Sequence, residues 1–236
     1  MSGPVLELAD VSKDYHALRP LRIASLSVRA GEQVALVGFD QVSAEVFVNL
    51  VTGATLPDRG VIRLFGRSTA DIANADEWMK VVDRIGIVSR RAVLLEGLTV
   101  VQNLAMPYSL EVEPPSPTVK ERAVALAVEA GLHESTFARP IAELGPADVF
   151  RARFARALAL DPSLILFEHP TAELAGSDIS VLASRCHEVS SKRNIATVVL
   201  TADRQFADAS ASRVLSWQPA TGRLTGGGWL WRFRRG

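Results

Sequence analysis

Short apolar runs rich in β-branched residues alternate along this chain with longer stretches in which apolar residues recur at helical spacing. The unbroken run QVALV at residues 33–37 is typical of a strand that is buried on both faces. The remaining predicted strands are residues 5–8, 21–28, 61–65, 85–88, 164–167, 196–201 and 214–217, and the predicted helices are residues 44–52, 118–131 and 149–160. This alternation predicts an α/β fold with an open, largely parallel sheet. The proline-rich segment at residues 111–117 is predicted to be a rigid surface loop.

The composition indicates a folded, cytosolic protein. Hydrophobic residues make up 48% and charged residues 22% of the 236 residues, which rules out wholesale disorder. The 26 basic and 26 acidic residues cancel, which argues against a protein that binds nucleic acid by its overall charge. The single cysteine, Cys186, excludes an intrachain disulfide and a cysteine-based zinc site. The first residues do not have the pattern of a secretory signal, and the apolar runs are too short to span a bilayer.

Several blocks, in their order and spacing over residues 5–225, resemble the nucleotide-binding subunit of ATP-binding-cassette (ABC) transporters. The blocks include LSVRAGEQVALVG, RARFARALALDPSLILFEHPTAEL and ATVVLTADRQFADASASRVLSW, and Tyr15 stands at the position of the aromatic residue that stacks on adenine. The wording LLEGLTVVQNLAMP is most similar to the lipoprotein-release and macrolide-export branch. The resemblance implies a P-loop NTPase-type core with a mixed or parallel sheet, an α-helical subdomain, and ATP with Mg²⁺ as the expected ligands.

The resemblance also implies one ABC ATPase-type domain over residues 1–236. Its α/β core would comprise residues 1–88 and 160–225, and its helical subdomain would comprise residues 89–159 approximately. Residues 226–236 would form a tail in which Trp229, Trp231 and Phe233 are interleaved with three arginines. This tail is compatible with contact to a membrane interface and equally with a frayed terminus.

The segment at the position of the phosphate loop departs from the pattern G-x-x-x-x-G-K-[ST], in which backbone N–H groups, a lysine and a hydroxyl bind phosphate and magnesium. Its residues are Gly38, Phe39, Asp40, Gln41, Val42, Ser43, Ala44 and Glu45. Ser43 replaces the second glycine, Ala44 replaces the lysine, and Glu45 replaces the hydroxyl. A charge pair at 4 Å is worth roughly 4 kcal/mol, so these changes could remove about 8 kcal/mol, which is as much as micromolar binding. We therefore predict that ordinary ATP binding is lost and that Asp40, Ser43 and Glu45 cap a helix that begins near Ser43.

The Walker B strand of the family ends in Asp-Glu, whereas this chain has Glu168 and His169. Glu168 could still reach a metal through its longer side chain. His169 could position or deprotonate a water molecule near neutral pH, or it could be an ordinary polar residue. No metal ligand is assigned from the sequence.

Other family positions are changed as well. Arg90 replaces the glutamine of the Q-loop, Ala175 replaces the aspartate after the Walker B segment, and Ala202 replaces the switch histidine. The signature LSGGQ is represented by Leu144, Gly145, Pro146, Ala147 and Asp148, in which Pro146 removes a backbone N–H. In the family, each ATP lies between the phosphate loop of one subunit and the signature motif of the other. Both composite sites are therefore predicted to be impaired, even in a mixed dimer.

These features suggest a pseudo-ATPase with a structural or regulatory role in an ABC transporter. Its expected partners are a membrane permease, a paralogous ABC ATPase subunit or both, in a homodimer or heterodimer on the cytoplasmic face of the membrane. An apolar segment beside the Q-loop is a candidate docking surface, unless it is simply core: Val93, Leu94, Leu95, Leu98, Val100 and Leu104. Arg90 and Arg91 could pair with acidic groups of a partner or be solvated. The alternatives are a weak or altered ATPase that uses Glu168 and His169, a soluble interaction module without a permease, and a decaying paralogue.

Overall fold

The computed structural model describes residues 3–226. The strands are β1 (Leu6–Lys13), β2 (Leu21–Val28), β3 (Gln33–Val37), β4 (Arg59–Leu64), β5 (Arg67–Ser68), β6 (Ile85–Val88), β7 (Leu164–Glu168), β8 (Ala196–Thr201), β9 (Arg213–Gln218) and β10 (Arg223–Gly226). The α-helices are α1 (Gln41–Val51), α2 (Ala75–Val82), α3 (Val100–Ala105), α4 (Pro117–Glu129), α5 (Pro146–Ala157), α6 (Gly176–Lys192) and α7 (Arg204–Ser210).

The strands form two sheets. The four-stranded sheet has the order β2-β1-β4-β5 and is antiparallel. The six-stranded sheet has the order β10-β9-β3-β8-β7-β6, in which β10 is antiparallel to β9 and the other five strands are parallel. The expected α/β fold with a mixed sheet is therefore confirmed.

Two hydrophobic cores lie on opposite faces of the six-stranded sheet. Because successive side chains of a strand point to opposite faces, Ala35 contributes to one core while Leu36 contributes to the other. The first core also contains residues of the helices α3 to α7, and the second contains the four-stranded sheet and α1. This burial on both faces explains the continuous apolar runs of β3, β7 and β8.

Four predicted strands have the predicted bounds, at residues 21–28, 33–37, 85–88 and 196–201. The predicted helices at residues 118–131 and 149–160 begin earlier, at Pro117 and Pro146. Both prolines lie in the first helical turn, where the missing N–H has no intrahelical partner to lose. The predicted surface loop therefore ends at residue 116, before Pro117.

The ABC-type division into a core and a helical subdomain at residues 89–159 stays a prediction. Of the predicted tail, Gly226 is the last residue of β10, and residues 227–236, with Trp229, Trp231 and Phe233, lie outside the described residues. Among the helices of residues 3–226, none has the length and apolar character needed to cross a membrane.

Candidate functional site

The segment at the phosphate-loop position lies between the carboxyl end of β3 and helix α1, which is where open α/β sheets usually bind ligands. Helix α1 begins at Gln41, two residues before the predicted start near Ser43. Asp40 is its N-cap: the Asp40 Oδ1 accepts the Ser43 N–H at 2.7 Å, and the Ser43 Oγ accepts the Asp40 N–H at 3.0 Å. This capping box satisfies two N–H groups that a phosphate would otherwise require. Glu45 does not take part in it.

Gly38 and Phe39 connect β3 to this cap. Gly38 has a φ of 105°, a conformation that favours glycine. Phe39 is 1% exposed and lies in the core, where its ring stacks on Trp217 with a centroid distance of 4.2 Å and meets Phe47 edge-on at 5.7 Å. Phe39, the second residue of the segment at the phosphate-loop position, is therefore part of the hydrophobic core.

The cap makes a specific prediction about acid stability. The Ser43 side-chain and backbone hydrogen bonds lower the pKa of Asp40 below its ordinary value. A lowered pKa stabilises the fold above the unfolded-state pKa near 4, and this contribution is lost as the pH falls through the folded-state pKa. We expect Asp40→Asn to keep the cap, because asparagine is an equally good N-cap, and to weaken the decrease in unfolding free energy between neutral and acid pH. Urea unfolding at several pH values measures this.

Ser43→Ala is the second variant for this measurement, because it removes the hydrogen bond that contributes most to the shift. We expect it to flatten the same part of the pH profile. An Asp40→Asn profile that parallels the wild-type profile would show that Asp40 makes no such contribution.

The two residues at the magnesium-binding positions, Glu45 and Glu168, contact the same arginine. Glu168 lies at the end of β7 with its side chain 4% exposed. Arg91 donates from Nε to Glu168 Oε1 at 3.0 Å and from Nη2 to Glu168 Oε2 at 2.6 Å. Its Nη1 donates to Glu45 Oε1 at 3.4 Å. These hydrogen bonds, chiefly those to Glu168, raise the pKa of Arg91.

Arg91 therefore has a different role from the one the sequence suggested. Its guanidinium lies between two carboxylates of its own chain, while 39% of its side chain remains exposed. Glu168 is correspondingly paired with this guanidinium instead of being free to reach a metal. The Q-loop position, Arg90, pairs with Glu173 at 3.0 Å near the surface, and Glu173 also pairs with Arg153.

His169 follows Glu168 in the left-handed region, with a φ of 44°. Its backbone N–H donates to the Leu200 carbonyl at 2.9 Å, and its buried Nε2 has no hydrogen-bond partner within residues 3–226. Tyr15 is half-buried, and burial together with the nearby Asp40 carboxylate raises its pKa. The adenine-stacking position thus lies beside the capped start of α1, and the role of His169 in positioning water stays a prediction.

The signature segment forms the start of helix α5. Gly145 is the N-cap and makes no side-chain capping bond, and Pro146 is in the first turn. Asp148 lies in the same turn and pairs with Arg151 at 2.8 Å. A carboxylate at a helix N-terminus is favourable to the helix but repels a further anion. Leu144 and Ala147, which flank Gly145 and Pro146, are partly buried against the helical core.

The alanines at the two remaining family positions make no polar side-chain contact. Ala202 is exposed after β8, and Ala175 is the N-cap of α6 without a capping bond. Asp203, which the sequence retains, caps α7 instead, with its Oδ1 accepting the Phe206 N–H at 3.0 Å.

These residues do not fit a magnesium–triphosphate group. Asp40, Glu45 and Glu168 contribute three negative charges and Arg91 one positive charge, which leaves a formal charge of −2 where a polyanion would have to bind. Ala44 provides no compensating charge and is fully buried. Among residues 3–226, no three His, Cys, Asp or Glu side chains lie close enough together to hold a metal ion.

The loop between β6 and α3, residues 89–99, contains the apolar segment that the sequence suggested for docking. Val93 is 65% exposed and Leu95 is also exposed, and these two could contact a partner. Leu94, Val100 and Leu104 are buried in the helical core, as the alternative interpretation expected, and Leu98 is half-buried. A pocket of about 600 Å³ lies against this loop, lined in part by Arg90, Val93, Leu94, Glu96, Ile141 and Val149.

Two residues that fix this loop have no counterpart in the sequence predictions. Asn103 of α3 is fully buried; its Oδ1 accepts the Leu95 N–H at 2.7 Å, and its Nδ2 donates to the Leu95 and Leu98 carbonyls at 3.0 and 3.2 Å. Arg156 of α5 donates to the Val93 carbonyl at 2.5 Å. An asparagine within the apolar helical pattern of α3 was the one available signal.

Comparison with known proteins agrees with this architecture. The family model for ABC transporters matches residues 21–172, more than half of the chain. The ABC transporter ATP-binding protein YtrE of Bacillus subtilis is 30% identical over 208 residues, which cover 88% of this chain and 87% of YtrE. The lipoprotein-releasing system ATP-binding protein LolD of Psychrobacter arcticus is 27% identical, with 89% of this chain and 94% of LolD covered.

The methionine import ATP-binding protein MetN of Brucella abortus is 27% identical over 91% of this chain, but the chain spans only 57% of the length of MetN. Among solved structures, cbiO1 from Clostridium perfringens superposes with a TM-score of 0.79 at 19% identity, covering 94% of this chain and 87% of cbiO1. The ABC transporter cassette MJ0796 superposes with a TM-score of 0.74 at 22% identity, covering 89% and 93% of the two chains. The expected P-loop ABC ATPase fold is thereby confirmed.

Proposed function

Because this chain belongs to the ABC transporter family, we propose that it is a subunit of an ABC transporter that neither binds nor hydrolyses ATP in the ordinary way. The observation that carries this proposal is the pairing of Arg91 with Glu168 and Glu45. The positions at which the family pattern places magnesium ligands are joined by a cation that belongs to the protein itself. The role that we propose for this subunit in the transporter is therefore structural or regulatory.

Displacing Arg91 from this position is unfavourable. Glu168 is almost completely buried, and a buried carboxylate that loses its ion-pair partner costs roughly 3–5 kcal/mol. Because Arg91 is itself 39% exposed, water reduces this cost, but any part of it weakens nucleotide binding, since micromolar affinity corresponds to only about 8 kcal/mol. The absence of a lysine at Ala44 and the Asp40 carboxylate act in the same direction.

The partner in this proposal is a membrane permease, a paralogous ABC ATPase subunit or both, and the chain lies on the cytoplasmic face of the membrane. The pocket of about 600 Å³ and the exposed Val93 and Leu95 support a docking surface on the side of residues 89–159, which we take as the helical subdomain. The relatives include proteins named for methionine import and for lipoprotein release, so the transported substrate and direction are not assigned.

Equilibrium binding of a fluorescent ATP analogue with Mg²⁺ tests the nucleotide part of the proposal. We expect the native chain to stay unbound up to millimolar nucleotide. The variant Ser43→Gly/Ala44→Lys/Glu45→Ser restores the pattern of the phosphate loop, and adding Arg91→Gln removes the internal cation as well. We expect the quadruple variant to bind the ATP analogue more tightly than the triple variant, because only the quadruple variant has lost the guanidinium next to Glu168.

Micromolar binding to the native chain, with hydrolysis that His169→Ala abolishes, would contradict the proposal and favour the altered ATPase. A chain that binds no nucleotide and also fails to sediment with the membranes of its own cell would instead favour a soluble interaction module.

A further inference from the structure

Polar contacts join the loop at residues 89–99 to the helices α3 and α5 on one side and to the six-stranded sheet and α1 on the other. On the helical side, Arg156 of α5 holds the Val93 carbonyl, and Asn103 of α3 holds the backbone of Leu95 and Leu98. On the sheet side, Arg91 binds Glu168 of β7 and Glu45 of α1. The loop therefore connects α3 and α5 to the end of the six-stranded sheet through three polar side chains.

The residues of the Arg91 contact form one consistent set. Glu45 and Glu168 both depart from the family pattern, and together they would place two carboxylates close to each other at the positions of the magnesium ligands. Arg91 neutralises one and contacts the other, and its planar guanidinium supplies the separate N–H groups that bidentate pairing with Glu168 requires. Arg91 therefore explains how two carboxylates are tolerated close together, and the two carboxylates explain why an arginine occupies position 91.

We propose that Arg91 is a permanent internal latch, which holds the loop at residues 89–99 and the adjoining pocket in one arrangement without any nucleotide. The latch rests on the proposed function, because a subunit that binds no ATP must keep its docking surface formed by other means. Arginine is suited to this purpose because it remains charged at every physiological pH. The cation of this contact is thus part of the chain and does not depend on a ligand.

Hydrogen exchange measured by mass spectrometry on the full chain tests the latch. In Arg91→Gln we expect the amides of residues 91–98 to exchange about tenfold faster than in the native chain, while those of β3 and β8 stay within twofold. The matched control is Arg90→Gln, which removes the neighbouring guanidinium and its more exposed pair with Glu173. We expect the control to exchange within twofold of the native chain throughout.

Equal acceleration in every segment would show that Arg91 contributes only to global stability, and an unchanged loop would show that it holds nothing; either result overturns the latch. If Arg91→Gln does not fold, Arg91→Lys is measured in its place, because an ammonium keeps the charge but cannot contact both carboxylates in the same way. We then expect about threefold faster exchange in the loop, and exchange equal to that of the native chain overturns the latch.

The same measurement on the native chain with and without MgATP separates the latch from the proposed function. Protection of the phosphate-loop segment by MgATP would contradict the proposed function, whatever Arg91→Gln shows. No effect of MgATP, together with an unchanged loop in Arg91→Gln, would overturn the latch and leave the proposed function standing.

Discussion

Phe39→Ala is expected to lower the free energy of unfolding by about 3–5 kcal/mol, a large effect for one residue in the segment at the phosphate-loop position. The Phe39 ring is fully buried, stacks on Trp217 and meets the edge of Phe47. Truncation removes the hydrophobic transfer free energy of the ring and leaves a cavity between two aromatic side chains that cannot collapse completely. Urea unfolding followed by the fluorescence of Trp217 and the other tryptophans measures the change.

Val42→Ala is the matched control, because Val42 lies three residues further along the same segment with its side chain 56% exposed. We expect this substitution to change the unfolding free energy by no more than about 0.5 kcal/mol. Similar small effects of both substitutions would contradict the placement of Phe39 in the core. A large effect of Phe39→Ala alone would indicate that the segment stabilises the fold through the burial of the Phe39 side chain.

The parallel strands were the most predictable part of this fold. Residues such as those of QVALV are buried on both faces, so the apolar run in the sequence has the same length as β3 itself. Helix starts were less predictable, because Pro117 was placed in a surface loop and Pro146 in the signature segment, although proline is well suited to the first helical turn. The start of α1 was placed two residues too late, because Ser43 was expected at the boundary of the helix, whereas Asp40 is the N-cap and Ser43 is the third helical residue of the capping box.

The candidate site could be located from the sequence, but its contacts could not. The resemblance to the family identified the positions of Glu45 and Glu168, since these follow from the order of the family motifs. Whether Arg90 or Arg91 turns inward depends on the irregular path of the loop after β6, which has no side-chain periodicity from which a direction could be inferred. The partner of Arg91 lies 77 positions away in sequence, so only the folded chain brings the two together.

Asn103→Ala is expected to lower the unfolding free energy by about 3 kcal/mol, although Asn103 contacts no other side chain of the site. Its amide is fully buried and makes hydrogen bonds to the backbone of Leu95, Leu98 and Thr99. Each buried backbone group left without a partner costs about 1–3 kcal/mol, and alanine can satisfy none of them. Because the same bonds shape the loop that we propose as a docking surface, we also expect the variant to lose affinity for the proposed partner.

Gln102→Ala is the control for this prediction, since Gln102 belongs to the same helix and its Oε1 accepts a single hydrogen bond, from the Thr99 N–H at 2.8 Å. Loss of that half of the capping box is expected to cost about 1 kcal/mol. Chemical unfolding of both variants measures the stability, and co-purification of the proposed permease is the second readout. If Asn103→Ala and Gln102→Ala reduce stability equally, Asn103 does not hold the loop, and the position of the exposed Val93 and Leu95 must be fixed by the Arg156 and Arg91 contacts alone.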